Sequence, residues 1–345
     1  MKKILMGLAL LCVAAACTQE QQPTAADSGT TRQDLRSRMQ KDRYTVAVIP
    51  KGLVHQFWLT VRAGAESAGR DFNADIMWRG PDAETDVSKQ IDIVDDMITR
   101  GVDAIVLAAC DTNALIDPVK RAVAAKIPVV TIDSGVESDL PISFVATDNK
   151  KGAQLAADKL AELLGGKGEV GLIPFVPGAA TSQLREQGFQ EGMAKHPEIT
   201  VLPPQYSMSD VSKGMSVTQD LMTAHPNMIG IFAANESGAM GAVQAIEAAN
   251  KAGQIKLVAF DAAQEELDAL KRGTIQALVV QNPFQMGYQG VKAAIDHIKG
   301  KDVPKQIDTG VTVITAENIN SPEVQQLLNP GVKPEQTAAA TPTAP

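Results

Sequence analysis

The chain is written in short apolar bursts, each followed by a polar loop and then by a stretch with helical spacing. The first burst, Thr45-Val46-Ala47-Val48-Ile49, is apolar and β-branched, the pattern of a strand covered on both faces. Pro50 and Gly52 end it, because proline donates no ladder hydrogen bond and glycine tolerates a turn. Phe57, Val61, Ala65, Ala68 and Phe72 then recur at the spacing of one helical face. Further strands are predicted over residues 74–78, 104–109 and 129–132, with a shorter piece at 144–146. Val87, Ile91, Val94 and Ile98 mark a helix ending before Gly101, and Asp111-Thr112 reads as the N-cap of the next. A second series opens with a helix over 151–164 and a strand over 169–173. A polar loop, 178–182, then leads into a helix holding Leu184, Phe189 and Met193. Strands at 229–233, 257–260 and 277–280 alternate with helices near 239–249, 265–271 and 286–299, and a last strand is expected over 310–315.

Alternation of this kind implies parallel sheets with right-handed crossovers, and two series imply two doubly wound sheets in two lobes of an α/β fold. At 345 residues with 44% hydrophobic content, the chain is long enough for about two domains. A net charge of −8 argues against nucleic acid as partner, since phosphate neutralisation needs a clustered basic surface. The N-terminus changes the picture of location. Lys2 and Lys3, an apolar run over 4–13 and Ala14-Ala15-Ala16 predict an export signal over residues 1–17. Cys17 directly afterwards resembles the lipobox cysteine of bacterial lipoproteins, although Ala14 stands where leucine is usual. An acylated, membrane-anchored mature chain is therefore expected. Cys12 would leave with the signal, so Cys110 would stand alone with no intramolecular disulfide. Residues 18–43, rich in Gln, Thr, Ser and Asp, predict a flexible tether, and the Pro, Ala and Thr of 330–345 a disordered tail. No later stretch approaches the roughly 20 apolar residues of a membrane span.

Candidate chemistry gathers where strands end. Lys51 and His55 follow the first strand, with Phe57 and Trp58 opening its helix, and Asp133 ends the fourth. In the second series Arg185 lies in the helix after the 178–182 loop, while Asn235, Asp261 and Gln281 end successive strands. Loops at the carboxyl ends of parallel strands are where open α/β sheets bind ligands. Carboxylates, amides and a guanidinium suit vicinal hydroxyls, and an aromatic pair offers a flat face to the C–H side of a sugar ring. Singly each has a plainer account: Asp133, Asn235 and Asp261 as caps or turn formers, Phe57 and Trp58 as core, Arg185 paired with Glu186 or Glu191. It is their repetition at the same end of strand after strand that points to a ligand. The single glycine of Lys51-Gly52-Leu53-Val54-His55-Gln56 excludes a dinucleotide fingerprint or a P-loop. Four histidines without metal-ligand spacing give no reason to expect a metal, and no cofactor is expected. Cys110 beside Asp111 reads as buried packing rather than as a nucleophile.

From Thr45 to about Thr315 the chain resembles the ribose/galactose class of periplasmic solute-binding proteins. The resemblance rests on TVAVIPKGLVHQFW, RGVDAIVLAACDTNAL, IPVVTIDSG and FVATDNKKGAQLAAD, and on TSQLREQGFQEGM, IGIFAANESGAMGAVQAI, LVAFDAA and IQALVVQNPFQMGYQGVKA. It implies two lobes joined by a hinge, the chain crossing near Thr147-Asp148, Gln281-Asn282 and Asp308. The N-terminal lobe would be 44–147 plus 282–308, and the C-terminal lobe 148–281 plus 309–328. It assigns ligand contacts to Phe57, Trp58, Asp133, Arg185, Asn235, Asp261 and Gln281, and implies a monomeric, non-enzymatic component of a sugar ABC importer with a permease as partner. Ribose binders carry small polar residues at Lys51 and His55, asparagine at Ala108, arginine at Ser134 and an aromatic at Ser209. The IPK and IDS segments are similar to the receptor for a furanosyl quorum-sensing autoinducer, so a furanosyl signal is the alternative ligand to a small sugar. The lactose-repressor regulators share the fold, but need a helix-turn-helix where this chain has an export signal and tether.

Overall fold

In the computed structural model, which describes residues 41–330, the alternation builds two six-stranded sheets of the same design. The export signal, Cys17, nearly all of the tether and the tail beyond residue 330 lie outside the described residues. In the first sheet β1 (Tyr44–Ile49), β2 (Ala74–Trp78), β3 (Ala104–Leu107), β4 (Val129–Ile132) and β5 (Ser143–Ala146) run parallel in the order β5-β4-β3-β1-β2. Helices α1 (Gln56–Phe72), α2 (Val87–Arg100) and α3 (Ile116–Ala124) make the crossovers. After α4 (Asn149–Leu164), the second sheet repeats the pattern. Here β6 (Lys167–Ile173), β7 (Glu198–Val201), β8 (Met228–Ala233), β9 (Lys256–Phe260) and β10 (Ile275–Gln281) lie parallel in the order β10-β9-β8-β6-β7. Their crossovers are α5 (Ala180–Met193), α6 (Val211–Ala224), α7 (Glu236–Ala248) and α8 (Gln264–Arg272).

The chain then returns to the first lobe. Helix α9 (Pro283–Ile298) packs on α1, and β11 (Gln306–Asp308) extends the first sheet beside β5. Strand β12 (Val311–Ile314) pairs antiparallel with β10 in the second sheet, and α10 (Pro322–Leu328) follows. Three segments therefore pass between the lobes, after β5, after β10 and between β11 and β12. Two of them are tied together where the Thr147 hydroxyl donates to the Gly310 carbonyl.

The central strands of each sheet are buried on both faces, which is why they lack a polar side. Val46 and Val48 of β1 pack with Val61, Ala65 and Val291 from α1 and α9, while Ala47 and Ile49 meet Val94, Met97 and Val119 from α2 and α3. Each such Val or Ile contributes about 1.5–3 kcal/mol by leaving water. The seating of α1 depends on two glycines. A Cβ on Gly64 would lie 2.0 Å from the Phe284 carbonyl oxygen, and one on Gly287 2.0 Å from that of Val61. Any side chain there would push α9 off α1 and shift the aromatic pair at the start of α1. The Asp111-Thr112 cap expectation is corrected: α3 starts later, after Leu115, and the Asp111 carboxylate instead accepts from the Asn113 and Ala114 N–H groups to close a turn. Among the described residues, no helix is long and apolar enough to cross a membrane.

Candidate functional site

The carboxyl ends of both sheets face a single cleft of about 300 Å³. All nine residues singled out in the sequence line it: Lys51, His55, Phe57, Trp58 and Asp133 from the first lobe, Arg185, Asn235 and Asp261 from the second, and Gln281 at the end of β10. Asp133 and Asp261 follow the fourth strand of their respective sheets and share a left-handed backbone, with φ of 54° and 84°. Asp tolerates that conformation better than most side chains, though not without cost, and such strain collects at functional sites. Neither aspartate is a helix cap. Asn235 is both things at once: its Oδ1 caps α7 by accepting from the Gly238 N–H, and its Nδ2 donates to Ser209 in the cleft. Trp58 is 1% exposed and stands edge-on to Phe57 at 4.9 Å, so it is core and cleft wall together.

Charge in the cleft is buried and paired. Lys51 Nζ lies 3.0 Å from Asp133 Oδ2, donates to Thr181 Oγ1 at 3.1 Å across the cleft, and sits between the Trp58 and Phe175 rings. Burial alone would lower the Lys51 pKa, but Asp133 and Glu84 outweigh it and raise it. Arg185 is buried: its Nε donates to Asn149 Oδ1, its Nη1 donates to the Ala234 carbonyl, and its guanidinium stacks 3.8 Å from the Phe260 centroid. Burial pulls its pKa down against the attraction of Asp261 and Asp133. Asp261 accepts from Gln281 Nε2 at 2.7 Å and from the Glu236 N–H at 3.2 Å, and burial pushes its carboxyl upward. Gln281 Oε1 is a buried acceptor with no hydrogen-bond donor among the described residues, while Asp133 Oδ2 is met by the Lys51 ammonium. A buried acceptor without a donor is rare, and this one lies in the wall of the cleft.

Four cleft-lining residues went unnoticed in the sequence: Glu84, Phe175, Thr181 and Glu236. Glu236 spans the lobes, its two oxygens accepting from the Gln56 and Phe57 N–H groups at 3.0 Å each. A carboxylate set on the N-terminus of α1 is a favourable dipole partner. His55 Nε2 meets Ser237 Oγ at 3.0 Å, another contact between lobes. Cys110 is a buried thiol whose pKa burial pushes up, consistent with packing.

Two lobes of repeated topology, crossed by three segments and shut over a buried polar and aromatic cleft, define a two-lobed cleft-binding protein. The family model described as "Periplasmic binding protein domain" matches residues 46–302, and the chain belongs to this family, in its ribose class. It is 33% identical over 285 residues to a D-ribose/D-allose-binding protein of Pseudomonas aeruginosa, covering 80% of this chain and 89% of that one. It is 32% identical over 275 residues to a ribose import binding protein of Bacillus subtilis, covering 80% and 88%. Among solved structures, an ABC transporter solute-binding protein from Agrobacterium vitis bound with α-D-tagatopyranose superposes with a TM-score of 0.80. The two are 36% identical, over 82% of this chain and 98% of that one. A carbohydrate transporter solute-binding protein from Agrobacterium radiobacter in complex with D-arabinose gives a TM-score of 0.81 at 35% identity, over 83% and 99%.

Proposed function

We propose that this chain is the extracytoplasmic substrate-binding component of a sugar ABC importer, closing its two lobes on a monosaccharide without chemical turnover. The observation that carries this is the facing of two strand-end aspartates, an amide pair and a buried guanidinium across one aromatic-walled cleft. Neither lobe alone satisfies a sugar's hydroxyls, so bound sugar stabilises the shut state. Lys51, His55, Phe57, Trp58 and Asp133 would contact the sugar from the lobe of residues 44–147 plus 282–308. Arg185, Asn235 and Asp261 would do so from 148–281 plus 309–328, with Gln281 at the hinge. The named relatives bind or import ribose, allose, tagatose and arabinose, which favours a sugar over a furanosyl signal molecule.

A thermal-shift panel of D-ribose, D-allose, D-tagatose, D-arabinose and D-fucose tests this directly. A cognate sugar at about 100 times its Kd adds roughly 2.7 kcal/mol, a shift of several degrees. A panel without a single stabilising sugar overturns the proposal. The shut lobes would dock, as a monomer, on a membrane permease.

The anchor is proposed to be acylated Cys17. One acyl chain holds a protein only marginally, so stable anchoring requires the several chains of a lipoprotein. Cys17→Ser is expected to move the protein from the membrane fraction to the soluble one with its fold intact. Wild-type chain found soluble and without lipid would rule the anchor out.

A further inference from the structure

Glu84 lies in the loop between β2 and α2 and is 6% exposed, a full charge inside the cleft wall. A buried carboxylate is costly unless its oxygens are met by donors and its charge by cations. Here both conditions hold, and the donors come from opposite lobes. Within the first lobe, Oε1 accepts from the Trp58 indole N–H at 2.8 Å and lies 3.6 Å from His55 Nδ1. From the second lobe, the Ser209 hydroxyl donates to Oε2 at 2.8 Å. Burial alone would push the carboxyl up, yet Lys51, His55 and the indole N–H hold it at about 2.

The residue that reaches across is itself held in an unusual conformation. Met208 and Ser209 have successive left-handed backbones, with φ of 56° and 54°. Neither is glycine, so the segment is strained, and it is fixed by the Ser207 and Met208 N–H groups bonding the Pro174 and Phe175 carbonyls. Ser209 Oγ also accepts from Asn235 Nδ2 at 3.0 Å. A continuous chain thus runs from Trp58 through Glu84 and Ser209 to Asn235, linking the aromatic platform of one lobe to the amide of the other.

We propose that Glu84 is a positioning residue: it fixes the Trp58 indole and the His55 ring from within the first lobe and catches Ser209 as the cleft shuts. Its protein partners occupy both oxygens, so it acts on ligand through Trp58 and through closure. The proposal rests on the sugar-binding reading for its affinity arm only.

The chain's two tryptophans are Trp58 and Trp78, so Trp78→Phe leaves Trp58 as the sole reporter. In that background, Glu84→Ala is expected to shift the Trp58 emission maximum and raise its quenching by acrylamide. Glu84→Gln keeps an acceptor for the indole and a donor for Ser209, and should restore the wild-type spectrum. With whichever sugar of the panel stabilises the protein, Glu84→Ala and Ser209→Ala should each weaken binding by about tenfold or more. The double variant should lose less than the sum of the two single losses, because both singles break the Glu84–Ser209 bond. Fully additive losses, or a Trp58 spectrum unmoved by Glu84→Ala, overturn the proposal. If Glu84→Ala does not fold, Ser209→Ala decides instead, and wild-type affinity in that variant overturns the proposal. If no panel sugar binds the wild type, the importer reading fails while the emission comparison still decides the role of Glu84.

Discussion

Replacing Lys51 with methionine is expected to destabilise the protein by about 3–5 kcal/mol at neutral pH, the cost of removing one partner of a buried ion pair. Lys51 is 2% exposed, and its ammonium neutralises Asp133 at 3.0 Å while holding the Glu84 pKa down. Methionine keeps the apolar stem between Trp58 and Phe175 but leaves Asp133 without its ion-pair partner and Glu84 without one of its two cations. The pH dependence has a definite sign. In the wild type the Glu84 pKa is held at about 2, below its ordinary value of 4.5, so its stabilisation is present above the ordinary value and lost as pH falls toward about 2. In Lys51→Met, Glu84 loses one of the charges that hold its pKa down, so the deficit should be largest near pH 7 and shrink toward about pH 5. Urea unfolding at both pH values measures it. Adding Asp133→Asn, which tolerates the left-handed backbone, should return part of the loss. Equal stability of the single and double variants would show that the Lys51–Asp133 charge pair is not the source.

The strand ends were legible because burial on both faces makes apolar runs unmistakable and leaves polar residues conspicuous where the runs stop. Asp133, Asn235, Asp261 and Gln281 each stand at such a stop, and all four line the cleft. What was not legible lies away from strand ends. Glu84 sits in the polar run Arg79 to Asp86, where one more acid among acids reads as solvated surface until the fold buries it. Glu236 follows a helix cap, so a local dipole role explains it fully in sequence, and only the tertiary structure brings the start of α1 to its oxygens. Strand β7 was missed as a short edge strand with a half-exposed pattern, and α6 because Gly214 and several β-branched or hydroxyl residues dilute its helical signal. The return of α9 and β11 to the first sheet leaves no local mark at all. That topology is legible only through family resemblance.

The repeated design also explains why the two aspartates should matter together. Each lobe places one after its fourth strand, on a strained backbone, with a cation nearby: Lys51 beside Asp133, and Arg185 near Asp261. The two halves differ in what they hold. Lys51 is engaged by an ion pair and by Thr181, whereas Arg185 is braced by Asn149, the Ala234 carbonyl and the Phe260 face. A braced guanidinium has lost its rotamer freedom before ligand arrives, so its remaining N–H groups can meet a sugar at little further entropic cost.

Truncating that second set is therefore expected to weaken sugar binding sharply. Arg185→Ala and Asp261→Ala should each cost about 1.5–3 kcal/mol per charged hydrogen bond lost. That corresponds to roughly one to two decades in Kd. Arg185→Ala also strips partners from Asn149 and Ala234, and Asp261→Ala from Gln281 Nε2 and the Glu236 N–H. Part of any loss could thus reach affinity through a disturbed hinge and lobe contact, and the experiment must separate the routes. Thermal unfolding without sugar reports the structural share, and titration calorimetry with the panel sugar reports the total. Asp261→Asn, which keeps the size and tolerates a φ of 84°, is the sharper probe, because it removes the charge while retaining an acceptor for Gln281. It should fall between wild type and Asp261→Ala in affinity while matching wild type more closely in stability. Should Arg185→Ala and Asp261→Ala both fold and hold the sugar as tightly as wild type, the sugar is bound somewhere other than between these strand ends.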